Sequence, residues 1–180
     1  MTYSKRVFDL TCAVLLALLL SPILIVVSVL ILCLDGRPVF YVSERMQTLT
    51  KGFPLLKFRT MKTVSHDAGV SGGDKSARIT RTGAFMRAKR IDELPQLWNV
   101  LKGDISFVGP RPPLRQYVER FPDIYGPVLK SRPGITGLAS AYFNKHEEYL
   151  LAHTKSFEET DAIYCSRCIP QKAKLDMIYQ

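Results

Sequence analysis

The chain has 180 residues, with 25 Lys+Arg against 16 Asp+Glu, a formal net charge of +9 and 47% hydrophobic content. That apolar content excludes a disordered tail or a fibrous repeat, and the length suits one domain. Residues 51–132 hold 16 Lys+Arg and 7 Asp+Glu, so the whole excess lies in one central region, which must face an anionic partner or spend stability on self-repulsion.

From Leu10 to Leu34 run 25 residues without a charge, between Asp9 and Asp35, the pattern of a membrane-inserted segment. Lys5 and Arg6 provide a basic start, but the run is too long for a signal peptide, and Leu32-Cys33-Leu34-Asp35 offers no small-residue cleavage site. One straight helix would reach roughly 37 Å, enough for a hydrocarbon core of about 30 Å. Against this, Ser21-Pro22 stands near the middle, where proline removes a donor and clashes with the carbonyl four residues earlier. Each arm alone reaches only about 16–18 Å. Basic residues flank both ends, Lys5 and Arg6 before the run and Arg37 after it, so the positive-inside rule gives no preference for opposite sides. A helix that enters, bends at Ser21-Pro22 and leaves on the same side fits these features, with the Ser21 hydroxyl serving a carbonyl freed by the proline. A proline-kinked spanning helix is the alternative. Residues 1–36 thus form an anchor and residues 37–180 a soluble domain.

In that domain Arg37–Val42 and Phe53–Met61 read as strands, joined through the turn signal Thr50-Lys51-Gly52 into a β-hairpin. Residues 64–76 read as a mobile loop. Within it, Gly69-Val70-Ser71-Gly72-Gly73-Asp74-Lys75-Ser76 imitates a phosphate loop, but Asp74 replaces its second glycine and would repel phosphate. Ile79–Arg90 suits a basic amphipathic helix with Phe85 and Met86 on its apolar side. In a second helix Leu94, Leu97, Trp98 and Leu101 share one face, Pro95 sits in the first turn and Gly103 at the end. Gly109-Pro110-Arg111-Pro112-Pro113 is a stiff extended loop and Arg132-Pro133-Gly134-Ile135-Thr136-Gly137 a rigid turn. The last forty residues read as amphipathic helices with Glu147, Glu148, Glu158 and Glu159 on solvated faces. The expected fold class is therefore α+β, mainly helical: a membrane-anchoring N-terminal helix and a small domain with a short β-hairpin.

The paired carboxylates Asp92-Glu93 carry the most chemistry. Asp is a favoured N-cap, and Glu in a first turn is stabilised by the helix dipole. A helix start also binds phosphate, and Arg87, Lys89, Arg90, Lys102 and Arg111 are close in sequence. In such surroundings both carboxylates are expected to stay ionised and to hold Mg²⁺ together with substrate phosphates. An ionised Asp can also attack phosphorus to form an acyl phosphate. Prolines on both sides fix Arg111, whose planar fork suits phosphate. Cys165-Ser166-Arg167-Cys168 is a lone CxxC without a second ligand pair, and His66, His146 and His153 form no spacing pattern.

Taken together these residues resemble the bacterial sugar transferase family of small monotopic phosphoglycosyl transferases. The resemblance covers most of the chain: Lys5-Arg6-Val7-Phe8-Asp9, Ser21-Pro22, Lys57-Phe58-Arg59-Thr60-Met61, the block from Asp92 to Asp104, Ser106-Phe107-Val108-Gly109-Pro110-Arg111-Pro112, and Arg132 to Gly137. It implies that Asp92 is the nucleophile, that Glu93 assists it in metal and proton handling, and that Lys57, Arg59, Arg87, Arg111 and Arg132 meet substrate phosphates. The implied reaction is ping-pong: Asp92 takes a sugar phosphate from a UDP-sugar, UMP leaves, and polyprenyl phosphate collects the phosphosugar. A re-entrant helix, Mg²⁺, membrane lipids as partners and a place on the cytoplasmic face of the bacterial inner membrane are implied with it. Nucleic acid is not among the implied partners, and a homodimer is left open. Family members continue past the position of Leu175–Tyr179 into a further helical segment, whereas this chain stops at Gln180. The competing reading is a non-catalytic membrane-anchored adaptor whose basic region binds acidic lipid or nucleic acid.

Overall fold

The uncharged run and its flanks form one helix, α1 (Tyr3–Leu34), in a computed structural model that describes residues 1–64 and 69–179. Helical hydrogen bonding continues through Pro22, so proline leaves a gap of one bond and no non-helical segment. The Ser21 hydroxyl donates to the Leu18 carbonyl (2.8 Å), the one Pro22 leaves without its N–H.

Both ends of α1 dock on the same domain. At the N-terminal end Asp9, 1% exposed, accepts from the Ser106 hydroxyl (2.7 Å), and Lys5 reaches the same hydroxyl and the Val108 carbonyl. Arg6 donates to the carbonyls of Val100 (2.7 Å) and Leu101 (2.9 Å), where a helix end offers unpaired acceptors. At the C-terminal end Arg59, buried, donates to the carbonyls of Asp35, Gly36 and Pro38 at 2.6–2.7 Å. The Asp35 carboxylate accepts from the hydroxyls of Thr80 and Thr82. Between these docks Leu15, Leu18, Leu19, Ile25 and Val26 stay more than 60% exposed, an apolar face far larger than isolated surface leucines would make.

Strands β1 (Phe40–Met46) and β2 (Gly52–Phe58) form the expected antiparallel hairpin, with Tyr41 opposite Lys57. Apolar residues of β2 serve both arms of α1, Phe53 and Leu55 clustering with Ala13, and Phe58, of opposite parity, with Ile31 and Met86. Helix α2 (Arg81–Ala88) follows. Its inward residues are Gly83 and Met86, because Gly83 lies so close to Thr60 that a Cβ there would meet the Thr60 carbonyl at 2.1 Å. This corrects the expected apolar side, since Phe85 points outward and is 61% exposed.

The expected second helix is divided. Residues Ile91–Gln96 form a 3₁₀ turn, and α3 proper is Leu97–Lys102, ended by Gly103 at φ +86°. The tighter turn shifts the phase, so Leu97 and Val100 face inward while Trp98 is 59% exposed. Asp92 therefore does not open an α-helix, and Arg90 (φ +58°) occupies the cap position without a side-chain hydrogen bond.

Short strands β3 (Ser106–Val108) and β4 (Gly134–Thr136) pair in parallel. The loop around Arg111 and the Arg132–Gly137 turn touch through glycine: a Cβ on Gly109 would stand 2.2 Å from the Arg132 carbonyl. Helices α4 (Arg115–Arg120), α5 (Pro122–Val128), α6 (Leu138–Tyr142), α7 (Asn144–Leu151), α8 (Phe157–Ile163) and α9 (Ile169–Ile178) complete a mainly helical α+β domain, with a π-helical turn at Tyr164–Cys168. Their core gathers Tyr117, Val118, Tyr125, Leu129, Leu151, Tyr164 and both Cys165 and Cys168, free thiols that burial pushes up, Cys168 to about 11. Glu158 and Glu159 lie in the first turn of α8, as dipole complementarity favours. Glu147 departs from its expected solvated face, because it pairs with Lys172 (2.8 Å) of α9. Of the loop expected over 64–76, residues 65–68, with His66, lie outside the described residues. Gly73–Arg78 forms a 3₁₀ turn in which Asp74 accepts from the Gly72 N–H and the Thr160 hydroxyl, an internal brace.

Candidate active site

The hairpin, the 3₁₀ turn, the Arg111 loop and the C-terminal helices enclose a cavity of about 660 Å³, the size of a nucleotide or drug-sized ligand pocket. Alternation along β1 puts Tyr41, Ser43 and Arg45 on its wall, with Lys57 opposite Tyr41 on β2. The 3₁₀ turn brings Asp92 and Glu93, α2 brings Arg87, and the proline-flanked loop brings Arg111.

Glu93 is 8% exposed and its Oε1 accepts from both Lys57 (2.8 Å) and Arg111 (2.7 Å). Burial opposes its ionisation, but Arg111 and Lys57 outweigh burial and hold the carboxyl far below the usual carboxylate range. Burial and the charge of Arg111 push Lys57 down to about 8, with Glu93 pulling the other way.

Asp92 differs. It is 8% exposed, and its Oδ1 is buried without a hydrogen-bond partner among the described residues. Burial raises its pKa, assisted by Glu93 and opposed by Lys57, Arg87 and Arg90. The expectation that both carboxylates stay ionised thus meets opposite shifts, Glu93 downward and Asp92 upward. The fold drives the pair apart, giving Glu93 as a fixed anion and Asp92 as a carboxylate whose charge depends on cations around it.

Not every expected cation joins this constellation. Arg87 lines the cavity and donates through Nε to the Thr60 hydroxyl (2.9 Å). Arg59 borders the cavity, yet its Nε and Nη2 serve the carbonyls at the end of α1. Arg132 lies elsewhere, beside Gly103 and Arg6 at the C-terminal end of α3. Sequence reading missed Arg45, which is half-buried on the cavity wall and donates to Ser43 and the Pro112 carbonyl. The period of two in Tyr41-x-Ser43-x-Arg45 was the available signal. It also missed Lys172, Tyr164 and Asp176 on the opposite wall, for which no local pattern exists.

The donor set suits Mg²⁺ in part. Asp92 offers a buried oxygen with no partner among the described residues, the hard ligand this ion prefers. Glu93 Oε1 is already shared by two cations, and no group of three or more His, Cys, Asp or Glu side chains able to hold a metal occurs among the described residues. An ion here would take Asp92, with Glu93 beside it, and complete its shell with substrate phosphates and water.

The family model described as bacterial sugar transferase matches residues 1–179. The chain is 42% identical over 135 residues to an uncharacterized sugar transferase of Bacillus subtilis (75% of this chain, 66% of that protein). It is 43% identical over 118 residues to a second Bacillus subtilis protein, named a putative undecaprenyl-phosphate N-acetylgalactosaminyl 1-phosphate transferase (65% and 66%). It is 37% identical over 152 residues to an undecaprenyl-phosphate galactose phosphotransferase of Salmonella typhimurium (76% and 32%). The chain therefore spans between about a third and two thirds of the length of these relatives. With a family match that takes in every element from α1 to α9, the chain belongs to the bacterial sugar transferase family.

Proposed function

We propose that this protein transfers a sugar 1-phosphate from a UDP-sugar to polyprenyl phosphate through a covalent intermediate on Asp92. The observation that carries the reading is the buried, unpartnered Asp92 Oδ1 on the wall of a cavity lined by Lys57, Arg87 and Arg111. The names of the relatives, which specify undecaprenyl phosphate with galactose or N-acetylgalactosamine, support the substrate classes.

In the first half-reaction a carboxylate oxygen of Asp92 bonds to the β-phosphorus, the bond from that phosphorus to the bridging oxygen breaks, and UMP leaves with the electron pair. In the second, an oxygen of polyprenyl phosphate attacks the same phosphorus and expels the Asp92 carboxylate, giving polyprenyl diphosphate sugar. Lys57, Arg87 and Arg111 neutralise the pyrophosphate, the chief demand of phosphoryl transfer. Glu93 holds Lys57 and Arg111 in position from behind. Mg²⁺, when bound at Asp92, supplies further charge neutralisation on the transferring phosphoryl group.

The exposed apolar face of α1 fits insertion into the membrane, with the soluble domain on the cytoplasmic side where UDP-sugars occur. A straight crossing would carry the two ends of α1 to opposite faces of the bilayer, whereas both are docked on one domain. A re-entrant course satisfies both docks. Tags placed at the N-terminus and within the soluble domain should report the same side in intact cells, and tags on opposite sides would refute this topology.

The reaction is tested by incubating membranes carrying the full chain with UDP-galactose, UDP-glucose and UDP-N-acetylgalactosamine plus polyprenyl phosphate and reading UMP. Release with none of a wider UDP-sugar panel would overturn the proposal. A pH profile gives a second check. Lys57 loses its proton as pH rises through about 8, so kcat/KM for the UDP-sugar should fall above that pH. Lys57→Arg, which stays charged, should remove the alkaline limb, and an unaltered limb would exclude Lys57 as its source.

A further inference from the structure

The cavity has a second wall that the phosphate chemistry leaves unused. Asn144, Glu147 and Glu148 recur at helical spacing on one face of α7 and line the cavity, as do Lys172 and Asp176 on α9. The charges on this wall largely compensate one another. Lys172 meets both Glu147 oxygens (3.1 and 2.8 Å), and Glu148 accepts from Asn144 (2.8 Å) and stands 3.7 Å from Arg90 at the rim. Lys172 is thus already paired on this wall, while Lys57, Arg87 and Arg111 stand on the facing one.

Asp176 is the exception to that compensation. It is 5% exposed, and its Oδ1 is buried with no partner among the described residues. The backbone of Ala139, in the uncapped first turn of α6, also acts on the carboxyl, yet Oδ1 is left without a donor among the described residues. Burial raises the Asp176 pKa to about 6, as expected for a carboxyl short of donors. A buried acceptor without a donor is costly in a folded chain and calls for a ligand that supplies one.

We infer that the α7/α9 wall binds the uncharged, hydroxyl-bearing part of a nucleoside diphosphate sugar, with Asp176 Oδ1 as its principal acceptor and Asn144 as a rim contact. This rests on the reading of the cavity as a UDP-sugar site. It divides the cavity by chemistry: the pyrophosphate lies against Lys57, Arg87 and Arg111, and O–H or N–H donors of the sugar or the nucleoside lie against α7 and α9. Asp176 is in this assignment a binding residue, not a participant in bond making.

Calorimetric titration of the full chain in lipid nanodiscs with UMP, UDP-galactose, UDP-glucose and UDP-N-acetylgalactosamine tests it. Asp176→Ala should weaken binding roughly ten- to hundredfold, the usual loss for a hydrogen bond to a charged group, and Asp176→Asn should recover part of it. Loss for both UMP and the UDP-sugars identifies nucleoside donors; loss for the UDP-sugars with UMP unchanged identifies sugar hydroxyls. Wild-type affinities for all four ligands in a folded Asp176→Ala chain would overturn the inference alone. Should that variant not fold, Asn144→Ala, at an exposed hydrogen bond, decides: a loss of roughly fivefold or more in UDP-sugar affinity supports the wall, and no change overturns it. A wild-type chain that binds none of the four overturns the UDP-sugar reading, and the inference with it.

Discussion

Asp92→Asn is expected to abolish UMP release, lowering kcat by at least roughly 10⁴-fold as loss of a covalent nucleophile does, without loss of the fold. The amide has no anionic oxygen to attack phosphorus, and the surrounding cations cannot substitute for a bond-forming group. Stability should move the opposite way from activity. The folded state raises the Asp92 pKa through burial, so at neutral pH the charged carboxylate costs stability relative to the unfolded chain. Replacing it by a neutral amide of the same shape should leave Tm unchanged or higher, a frequent trade at active sites. Incubation with a UDP-sugar labelled in its sugar should give no protein-bound label in the variant. Turnover at the normal rate would exclude Asp92 as nucleophile, and a large fall in Tm would reveal an architectural role.

Glu93→Ala is expected to have the largest effect on stability. Truncation leaves Lys57 and Arg111, with side chains 16% and 29% exposed, facing each other without their shared anion. Breaking a buried pair in this way costs about 3–5 kcal/mol, a fall in Tm of roughly 10 °C for a chain of this size. The pH dependence follows from the sign of the shift. The folded pKa of Glu93 lies far below its ordinary value of 4.5, so its stabilisation is complete above about that pH and is lost as pH falls further. Thermal unfolding of wild type and Glu93→Ala at pH 7 and pH 3.5 should show the gap narrowing in acid. Lys57→Met added to Glu93→Ala should recover part of the loss by removing one uncompensated charge. A gap independent of pH would show that Glu93 acts through packing and not through its charge.

The two variants separate roles that the sequence presents side by side. Asp92 and Glu93 are adjacent and similar in chemistry, and local pattern alone treats them as one carboxylate pair in a basic region. Their difference arises from contacts 18 and 36 positions away in sequence, Arg111 and Lys57 on Glu93. Only the assembled cavity reveals which carboxylate is neutralised by protein and which keeps a buried oxygen without a partner among the described residues.

The same contrast runs through the fold. The hairpin, the Gly103 helix stop and the long apolar helix were legible because hydrophobic periodicity, turn chemistry and run length are local properties. The Ser21 bond to Leu18 was legible for the same reason, since proline always strands the carbonyl four residues back. The outward positions of Phe85 and Trp98 were not. Gly83 against Thr60 sets the inner face of α2, and a 3₁₀ turn at Ile91–Gln96 resets the phase of α3. Basic residues were hardest to sort. Lys5, Arg6 and Arg59 read as a membrane flank and a phosphate ligand, yet they clamp the two ends of α1 onto the domain.

By itself, then, the sequence determined a basic domain beside a long uncharged helix and pointed to Asp92-Glu93 as its chemical centre, because charge, hydropathy and short motifs are written in neighbouring residues. Tertiary structure alone decided which cations reach that centre, that Asp92 keeps an unshared oxygen, that both ends of α1 return to one body, and that Asp176 and the α7 face close the cavity opposite. Each depends on groups distant in the chain being brought within a few ångströms, where a partner's charge and the exclusion of water set what a side chain can do.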